Sequence, residues 1–350
     1  MASRILFAHN SPEMSQAFPL VSGVLLSYNC AEFILDAVRS TLGQDFESLE
    51  LLLSDDASED ETFLLLQNEV TQYSGQHRID LRRRPNNSGS KSAHLNDVLR
   101  RVSGEIIVFF DGDDVSDLSR VRDIVDVFRR DPAVQAVYSA YSLMDHAGNP
   151  LGSGNVPHPS SNVNTKAWFA KVDAYASGAT LAVRRAVIEK FSDLDPNIHE
   201  DVVLPFRASL LGEVRFLEKQ LVKVRRHSGS LTQSFDVFDS FDSYRSRILW
   251  GIEQAHRQRD SRLDDIRTAI ALMPDRIEEL EGLREIVLDS IADAETSAGL
   301  VSPSLRTRIG ALLELQRKGS YNEALLLNVC RVFAPNLYLR YKRHTLRKRG

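Results

Sequence analysis

An acidic cluster of Asp111, Gly112, Asp113 and Asp114 directly follows the apolar run Glu105–Phe110. The glycine lets the backbone turn tightly and keeps a side chain away from the neighbouring carboxylates. Carboxylates two residues apart at the end of a buried strand suit a hard divalent cation such as Mg²⁺ or Mn²⁺, which keeps positions open for a diphosphate. The alternative is a solvated acidic turn that leads into the following helix.

A second pair of carboxylates, Asp55 and Asp56, follows the apolar run Leu49–Ser54. In this position a carboxylate could accept a hydrogen bond from a nucleobase or a ribose. The nearby residues Ser58 and Glu61 fit the spacing of a capping box, which predicts that part of the segment starts a helix. Ligand binding and helix capping are therefore both open for this segment.

A third polar segment, Ser27, Tyr28 and Asn29, ends the apolar run Val21–Ser27. Tyr28 is either a packing residue or a platform on which a nucleobase stacks. In open parallel sheets, ligands bind beyond the carboxyl ends of the strands. Three strands would therefore direct an aromatic ring and two acidic clusters towards one crevice.

Positioning these residues requires strands that are buried on both faces. Five apolar runs, most of them six or seven residues long, are predicted as such strands: Val21–Ser27, Leu49–Ser54, Ile79–Leu81 with its flanks, Glu105–Phe110 and Val134–Ser139. The segments between them are predicted as helices: Ala31–Leu42, Asp60–Tyr73, Ser90–Val102 and Leu118–Arg130. This alternation predicts βαβ units with right-handed crossovers on a mostly parallel sheet.

The remainder of the chain changes character twice. Residues 148–165 are rich in Gly, Pro, Ser and Asn, which predicts a long loop. Mixed structure is predicted over 176–230: an apolar run at Ala179–Val183, helices near Ala186–Phe191 and Val202–Leu211, and short strands over 214–224. After residue 235 the pattern is helical to the end, and four or five helices are expected from breaks at Pro274, Pro303, Gly319 and Pro335.

The composition is typical of globular proteins. Of the 350 residues, 43% are apolar and 26% are charged, which excludes disordered and fibrous classes. The two cysteines, Cys30 and Cys330, cannot form a disulfide framework or a four-thiolate zinc site, so a reducing compartment is expected. No signal peptide and no run of 18 apolar residues is evident, and we expect a cytoplasmic protein.

The net charge of −5 conceals a basic C-terminus. Six Lys and Arg residues and no acid fall within 336–350, so the rest of the chain is more acidic than the whole. An acidic body argues against nucleic acid as the main partner. The segment 324–350 combines apolar residues with cations, and it is either an anchor on an anionic membrane leaflet or a packed helix with a solvated basic face.

Several signatures of other nucleotide-binding and hydrolytic proteins are absent from the sequence. It has no Gly-rich phosphate loop ending in Lys-Ser or Lys-Thr, no dinucleotide fingerprint between a strand and a helix, and no Gly-x-Ser-x-Gly elbow. A nucleotide would therefore be held by carboxylates and a metal ion.

A series of motifs in the correct order resembles the family 2 glycosyltransferases of the GT-A fold. The resembling segments are Ser27–Asn29, Ala37–Gln44, Leu51–Ser58, Asn87–Lys91, Asp111–Asp114, Gly178, Arg184–Arg185, His199–Asp201 and Arg226–Ser230. They cover about residues 20–232, roughly three-fifths of the chain. Each motif alone is weak evidence, but their shared order makes the resemblance strong.

The resemblance implies an α/β fold with a Rossmann-like, mostly parallel sheet flanked by helices. The GT-A domain would span 19–232, with a nucleotide-sugar-binding half over 19–145 and an acceptor half over 146–232. An N-terminal extension over 1–18 and an all-helical C-terminal appendage with a basic tail over 233–350 would lie outside it.

The resemblance also implies roles for individual residues. The nucleotide sugar would contact Ser27, Tyr28, Asn29, Asp56, Lys91, Asp111, Gly112 and Asp113. The ligands of a Mn²⁺ or Mg²⁺ ion would be drawn from Asp113, Asp111, Asp114 and His227, although His227 could instead be a surface histidine beside a turn. Asp201, beside Glu200, would be the catalytic base; alternatively, both acids stabilise a helix N-terminus.

The implied reaction is an inverting, metal-dependent sugar transfer from a nucleoside-diphosphate sugar, most commonly a UDP-sugar. The acceptor would be a hydroxyl of a glycan or a lipid-linked molecule in surface polysaccharide or lipopolysaccharide synthesis. The basic tail would bring the enzyme to lipid-linked acceptors at the inner face of the cell membrane, or the helical appendage would form a homodimer interface. The alternatives are an inactive nucleotide- or glycan-binding scaffold of the same fold and a nucleotidyltransferase, whose Gly-rich N-terminal loop followed by Arg is missing.

The sequence departs from the family pattern on both sides of the acidic pair. The family often has Gly-Gly-Phe-Asp before the pair, whereas Phe191–Asp195 reads Phe-Ser-Asp-Leu-Asp. The usual aromatic-rich acceptor motif after the pair is replaced by Val202–Pro205. These departures concern the identity of the acceptor and leave the expected donor site unchanged.

Overall fold

The computed structural model describes residues 4–7, 20–156, 158, 165–171, 174–227 and 241–317. Its strands are β1 (Arg4–Phe7), β2 (Val21–Ser27), β3 (Leu49–Asp55), β4 (Arg78–Arg83), β5 (Ile106–Asp111), β6 (Val115–Ser116), β7 (Val134–Met144), β8 (Pro150–Ser153), β9 (Ala182–Arg184) and β10 (Glu213–Arg225). Its α-helices are α1 (Ile34–Leu42), α2 (Thr62–Gln72), α3 (Lys91–Leu99), α4 (Arg120–Arg130), α5 (Thr165–Ala170), α6 (Ala186–Glu189), α7 (Glu200–Leu211), α8 (Phe241–Leu272), α9 (Ile277–Gly299) and α10 (Leu305–Arg317).

The described strands form one sheet in the order β1-β4-β3-β2-β5-β9-β7-β10-β6, with β8 paired to β7. The run from β4 to β5 is parallel, as the alternation of strands and helices predicts. The short strand β9 is antiparallel to both of its neighbours, β5 and β7, so the sheet as a whole is mixed. The predicted α/β class with a helix-flanked sheet is confirmed.

The central strands form because both of their faces are buried. Every residue of β2 and β3 is buried, and alternate side chains point to opposite faces of the sheet. On β2, Val24 and Leu26 join a hydrophobic cluster that includes α3 and α7, whereas Val21 and Leu25 join one that includes α1, α2 and α4. Burial of each such side chain contributes about 1.5–3 kcal/mol, which explains the uninterrupted apolar runs of the sequence.

The start of α2 differs from the capping-box prediction. The helix begins at Thr62, whose backbone amide donates to Asp60 Oδ1 at 2.9 Å. Ser58 does not cap it; its amide donates to Asp55 Oδ1 at 3.0 Å and its hydroxyl donates to the same carboxylate. The prediction for Ser58 and Glu61 was wrong because Ser58 is needed one turn earlier, to hold the loop that follows β3.

The segment predicted as a loop over 148–165 contains a strand. Pro150–Ser153 forms β8, which pairs antiparallel with β7 and closes a hairpin. Backbone pairing at a sheet edge tolerates the polar, Gly-containing sequence that suggested a loop. The short strands expected over 214–224 are instead one continuous strand, β10, with register shifts along β7.

The described part of the C-terminal region is helical, as predicted. A 3-10 turn at Pro274–Arg276 separates α8 from α9, and Pro303 lies between α9 and α10. None of the described helices combines the length and hydropathy that crossing a bilayer requires. The predicted breaks at Gly319 and Pro335 and the basic tail lie outside the described residues, and the predicted boundary near residue 232 stays a prediction.

Helix α8 packs against α7 through buried charges. Arg207 of α7 and Asp265 of α8 have side chains only 3% and 4% exposed, and Arg207 Nε lies 3.0 Å from Asp265 Oδ1. Arg262, also buried, donates to the carbonyl oxygens of Phe169 at 3.2 Å and Ala174 at 3.3 Å. The C-terminal helices thus contact the half of the protein that contains α5 and α7.

Candidate active site

The carboxyl ends of β2, β3 and β5 lie side by side in the sheet. Ser27 pairs in register with Asp55, and Leu26 pairs with Asp111. The three polar segments that follow these strands therefore meet at one edge, which agrees with the placement expected from the sequence. This edge contains the predicted donor-binding residues.

Gly112 packs so closely that another residue would displace its neighbours. A Cβ at this position would lie 2.9 Å from Cys30 Sγ and 3.1 Å from the Leu26 carbonyl oxygen and from Ser27 Cβ. Burial, assisted by the charge of Asp113, raises the pKa of the Cys30 thiol to about 12. The thiol is therefore protonated at neutral pH and acts as a packing group.

Asp56 and Tyr28 occupy the part of the edge formed by β2 and β3. The Asp56 carboxylate accepts hydrogen bonds from the Ser88 amide at 3.0 Å and the Ser88 hydroxyl at 2.6 Å, and it lies 3.1 Å from Arg84 Nε. Tyr28 is 48% exposed, so its ring is free of the core and available for stacking. The sequence did not single out Ser88 or Arg84 as partners that orient the carboxylate.

Asn29 and Ser27 have side chains that hold the loops of this edge together. Asn29 adopts a left-handed backbone conformation with φ of 46°. Its backbone amide donates to Ser58 Oγ at 2.9 Å, and its side-chain Oδ1 accepts from the Glu59 backbone amide at 2.8 Å. The Ser27 hydroxyl lies 3.4 Å from Asp55 Oδ2, and burial raises the pKa of the enclosed Asp55. Direct contact of Ser27 and Asn29 with a nucleotide stays a prediction.

Lys91 joins the end of β5 to the first turn of α7. Its Nζ lies 2.6 Å from Asp111 Oδ1 and 2.8 Å from Glu200 Oε1. Helix α3 begins at Lys91, and the Ser90 hydroxyl caps it by accepting from the amide of Ala93 at 3.1 Å. Burial alone would lower the pKa of Lys91, but the two carboxylates hold it well above its ordinary value, so the ammonium stays charged.

Asp113 and His227 form a second pair at the edge. His227 Nε2 lies 3.0 Å from Asp113 Oδ2, and the imidazole packs on Phe33 with 4.5 Å between ring centroids. Both side chains keep some exposure, 31% for Asp113 and 15% for His227. The sequence left His227 open between a metal ligand and a surface residue, and the structure brings it to the acidic cluster.

Asp114 is turned towards the backbone of β10. Its Oδ1 accepts a hydrogen bond from the Arg225 amide at 2.9 Å, and the residue is only 8% exposed. Burial, followed by the charges of Asp113 and Asp111, raises the pKa of Asp114 well above its usual range. Asp114 is thus engaged in holding the acidic loop against β10.

Arg225 is a further residue of this site that sequence reasoning missed. Its side chain is 3% exposed, and its guanidinium lies 4.9 Å from the centroid of the Phe33 ring. It donates to the carbonyl oxygens of Asp113 at 3.1 Å and His146 at 3.0 Å, and it pairs with Asp36 at 2.9 Å. The available signal was an arginine at the end of a predicted strand, since arginines are rarely fully buried without partners.

Glu200 and Asp201 lie in the first turn of α7, which begins at Glu200. The segment 176–178 runs close to this turn. A Cβ on Gly178 would lie 2.7 Å from Glu200 Oε1, and the Ala176 amide donates to the Asp201 carbonyl oxygen at 3.0 Å. Burial, followed by the charge of Glu200, raises the pKa of Asp201 to about 8. A carboxyl with this pKa suits proton transfer near neutral pH, and its place also fits the alternative of an acid at a helix N-terminus.

The predicted residues therefore fall into two adjoining groups. Tyr28, Asn29 and Asp56 belong to the loops after β2 and β3, whereas Lys91 and Asp111 belong with the acids of α7. The first group suits a nucleobase and ribose, and the second suits a diphosphate and a reacting sugar.

The pair Asp113 and His227 fits a metal ion that is shared with a substrate. Among the residues that the structure describes, no three His, Cys, Asp or Glu side chains converge on a metal position. Mg²⁺ and Mn²⁺ accept oxygen and imidazole ligands, and such ions often bind through one or two protein groups plus substrate phosphates and water. Asp111 is paired with Lys91 in this structure, and Asp114 with the backbone of β10.

Comparison with known proteins gives matches to one protein family and to several named relatives. The profile of Glycosyl transferase family 2 matches residues 22–191. The chain is 33% identical over 136 residues to the chondroitin synthase of Escherichia coli and 24% identical over 254 residues to the hyaluronan synthase of Pasteurella multocida. These matches cover 39% and 66% of this chain but only 19% and 26% of the two relatives, so the chain spans about a quarter of their length or less.

A solved structure shares the fold at low sequence identity. The crystal structure of S. aureus TarS 1-349 in complex with UDP-GlcNAc superposes with a TM-score of 0.50 at 15% identity, over 86% of this chain and 92% of that one. The fold is GT-A. Residues 22–191 of the chain match the model of glycosyl transferase family 2.

Proposed function

We propose that the chain is an inverting glycosyltransferase that moves a sugar from a nucleoside-diphosphate sugar to a hydroxyl of a glycan or lipid-linked acceptor. The observation that carries the proposal is the contact of Lys91 with both Asp111 and Glu200. It joins the strand end where the donor diphosphate would lie to the helix turn that carries the candidate base, Asp201. Donor and acceptor groups bound at these two places would be close enough to react.

The nucleoside would bind along the loops after β2 and β3. The exposed ring of Tyr28 would stack on the base, and Asp56, held by Ser88 and Arg84, would accept a hydrogen bond from its edge. Prior fixation of this carboxylate lowers the cost of ordering it on binding. We propose a UDP-sugar as the donor, following the commonest nucleotide of the family.

The diphosphate would lie between Lys91 and the acidic cluster. Asp113 and His227 would hold Mn²⁺ or Mg²⁺ through one carboxylate oxygen and one imidazole nitrogen. When bound, the cation offsets the negative charge that builds on the departing nucleoside diphosphate. The ammonium of Lys91 would neutralise part of the same charge, and Arg225 would keep the acidic loop in place.

Asp201 would act as the base on the acceptor side. It would accept the proton of the acceptor hydroxyl while the hydroxyl oxygen bonds to the anomeric carbon. The bond between that carbon and the diphosphate oxygen breaks on the opposite face, and its electron pair leaves with the diphosphate. One carboxylate therefore suffices, and no covalent intermediate with the protein forms.

The relatives favour synthesis of a surface polysaccharide or lipopolysaccharide. Two of them are named as synthases of the glycans chondroitin and hyaluronan, although each is much longer than this chain. The same setting would place the protein on the cytoplasmic face of the cell membrane. Contact with the membrane through 324–350, and a homodimer formed by the C-terminal helices, stay predictions, and 318–350 lie outside the described residues.

Calorimetric titration tests the donor site. UDP, GDP, dTDP and CDP are each titrated with Mn²⁺ and with a chelator into wild type, Asp113→Ala and the control Asp117→Ala. Asp117 is exposed in the same region, and its carboxylate accepts hydrogen bonds from Ser119. We expect one nucleotide to bind only with Mn²⁺, Asp113→Ala to lose this binding, and Asp117→Ala to keep it.

The titration, combined with an assay of nucleotide-sugar hydrolysis and transfer, separates the alternatives. If no nucleotide binds the wild type, the proposal is wrong and the carboxylates form an acidic turn. If a nucleotide binds but no nucleotide sugar is hydrolysed or transferred, the chain is a nucleotide-binding scaffold. Metal-independent binding would contradict the role of Asp113 and His227.

A further inference from the structure

We infer that Ser92 and Asn96 of α3 are positioning residues, which hold the first turn of α7 so that Asp201 lies where it can accept a proton from the acceptor. The inference rests on the proposed function, because it concerns the candidate base of that same site. Each residue acts through the backbone of the segment 194–198, which leads into α7.

The first turn of α7 is only weakly held by the helix itself. His199 directly precedes the helix, and within the described chain its side chain makes no capping hydrogen bond. Pro205 lies inside the helix and has no N–H group, so the carbonyl oxygen of Asp201, four residues earlier, lacks its usual helical donor. That oxygen accepts a hydrogen bond from the Ala176 amide instead, at 3.0 Å. The place of Asp201 therefore depends on contacts from other elements.

Helix α3 supplies such contacts from one of its faces. The Ser92 hydroxyl donates to the Ile198 carbonyl oxygen at 2.5 Å, just before α7 begins. Asn96 makes two hydrogen bonds with the backbone of Leu194: its Nδ2 donates to the carbonyl oxygen at 2.8 Å, and its Oδ1 accepts from the amide at 2.9 Å. Side chains four residues apart lie on the same face of a helix, so both positions reach the same segment.

The segment that these hydrogen bonds hold is buried at the points of contact. Ser92 and Ile198 are each 2% exposed, and Leu194 is 3% exposed. Water has little access to such positions, so removing one partner leaves a buried backbone group without its hydrogen bond. The ion pair of Arg100 and Asp193 joins the same helix to the same loop, but its side chains are 65% and 61% exposed, and exposed pairs contribute little. The buried hydrogen bonds, rather than this ion pair, therefore fix the loop.

The loop has room to move when it is released. A cavity of about 240 Å³ lies beside it, lined by Asn96 of α3, by Ile188 of α6 and by Ser192 and Leu194 of the loop. An unfilled space of this kind supplies no packing atoms to resist a displacement. The loop includes Phe191–Asp195, where the sequence departs from the family pattern. Loss of the hydrogen bonds from α3 should therefore let the loop, and the first turn of α7 behind it, shift.

Hydrogen–deuterium exchange on the ligand-free protein tests whether α3 holds this turn. The variants are Ser92→Ala, Asn96→Ala and Asn96→Leu, of which the last keeps a side chain of similar size and favours a helix. We expect the amides over 194–204 to exchange about tenfold faster in each variant. Asp193→Ala, which removes only the exposed ion pair, is the matched control and should exchange as wild type does. Circular dichroism checks that each protein is folded.

Turnover separates a positioning role from a merely structural one. The probes are UDP-N-acetylglucosamine, UDP-glucose and GDP-mannose with Mn²⁺ and no added acceptor, so that water attacks the anomeric carbon and Asp201 accepts its proton. We expect the rate of nucleotide release at saturating donor to fall by about 10–100-fold in the Ser92 and Asn96 variants, because a misplacement of about 1 Å can reduce the rate by up to that amount. The affinity for UDP or GDP should stay that of wild type, since the donor loops are untouched, and Asp193→Ala should keep both the rate and the affinity.

The inference is overturned by any of three results: unchanged exchange over 194–204 in the variants, an unchanged rate of nucleotide release, or an affinity for the nucleotide that falls as far as the rate does. A wild type that releases no nucleotide from any of the three probes would contradict the proposed function instead. Faster exchange in the variants would then still support the hold of α3 on the turn, and unchanged exchange would refute it.

Discussion

Asp265, on α8, is the counter-ion of Arg207 on α7, the helix that begins with the candidate catalytic acids. Arg207 Nε lies 3.0 Å from both Asp265 oxygens, and the two side chains are 3% and 4% exposed. Asp265→Ala would leave the guanidinium buried without its counter-charge. A buried charge that loses its partner costs about 3–5 kcal/mol, so we expect the free energy of unfolding to fall by about that amount.

The surroundings of the pair set where in this range the effect falls. Arg207 keeps a hydrogen bond to the Ser192 carbonyl oxygen at 2.8 Å and its contact with the Phe191 ring, which moderate the loss. Arg262, only 2% exposed, would also lose the attraction of the Asp265 carboxylate, which increases the loss. Because the entropy of unfolding is about 2.1 cal/mol/K per residue, 1 kcal/mol shifts the melting temperature of a chain of 350 residues by about 1.4 °C, and we expect a fall of about 4–7 °C.

Urea unfolding followed by circular dichroism measures the change, and Asp264→Ala is the matched control. Asp264 is the preceding residue on α8 and pairs with Arg267 at 2.5 Å, but those side chains are 66% and 75% exposed. Removing an exposed pair of this kind changes stability by about 0.5 kcal/mol or less. The contrast between neighbouring aspartates isolates burial as the cause.

A double variant tests the same reasoning from the opposite direction. Asp265→Leu combined with Arg207→Met removes both charges, so it should be less destabilising than Asp265→Ala, since apolar replacement of a whole buried pair is often tolerated. If Asp265→Ala is as stable as Asp264→Ala, the pair is not buried as described and the argument fails.

Three further predictions concern the site. The rate of sugar transfer should increase as the pH rises through about 8, because Asp201 must be deprotonated to act as a base and burial raises its pKa to about 8. Asp201→Asn should keep donor binding and lose transfer. Arg225→Lys should weaken Mn²⁺ affinity by about 10–100-fold, measured by titration, because a single ammonium cannot replace the guanidinium that donates to the carbonyl oxygens of Asp113 and His146 and to Asp36. Gly178→Ala should lower turnover by up to roughly 100-fold, measured at saturating donor, because its methyl group would push the Glu200 carboxylate out of its contact with Lys91.

Each of these predictions has an outcome that contradicts it. Transfer that stays constant between pH 6 and 9, or a loss of donor binding in Asp201→Asn, would exclude Asp201 as the base. Unchanged Mn²⁺ affinity in Arg225→Lys would show that the acidic loop does not need this support. Gly251→Ala is the control for Gly178→Ala: an added Cβ on this helical glycine meets nothing within 4 Å, and we expect it to add up to about 1 kcal/mol of stability.

The parallel core could be predicted from the sequence because its signal is local. β2 and β3 are buried along their whole length, so each appears as an uninterrupted apolar run that ends in polar residues. Adjacent parallel strands then place Ser27, Asp55 and Asp111 at one edge, whatever the rest of the chain does. The place of the candidate donor site therefore follows from strand pattern alone.

The contacts that complete the site depend on pairings that no local pattern contains. Lys91 meets Glu200 and Asp113 meets His227 across more than a hundred residues of chain, and the three-residue strand β9 has too little sequence to predict its place between β5 and β7. At Ser58 the local signal was misleading, because a tertiary hydrogen bond to Asn29 took the place of the helix cap. Arg225 was missed because its partners come from three distant segments.

The order in which the strands join the sheet has a consequence for synthesis on the ribosome. β5 ends at Asp111, but its neighbour β9 begins at Ala182. At a translation rate of about 5–20 residues per second, β5 is an apolar strand with one unpaired edge for roughly 4–15 seconds. His227, the partner of Asp113, is synthesised later still, so a nascent chain cannot form the candidate metal pair until nearly two-thirds of the protein has been synthesised. Unpaired edges of this kind promote association between chains, so the edge of β5 that later pairs with β9 is where we expect nascent chains to associate.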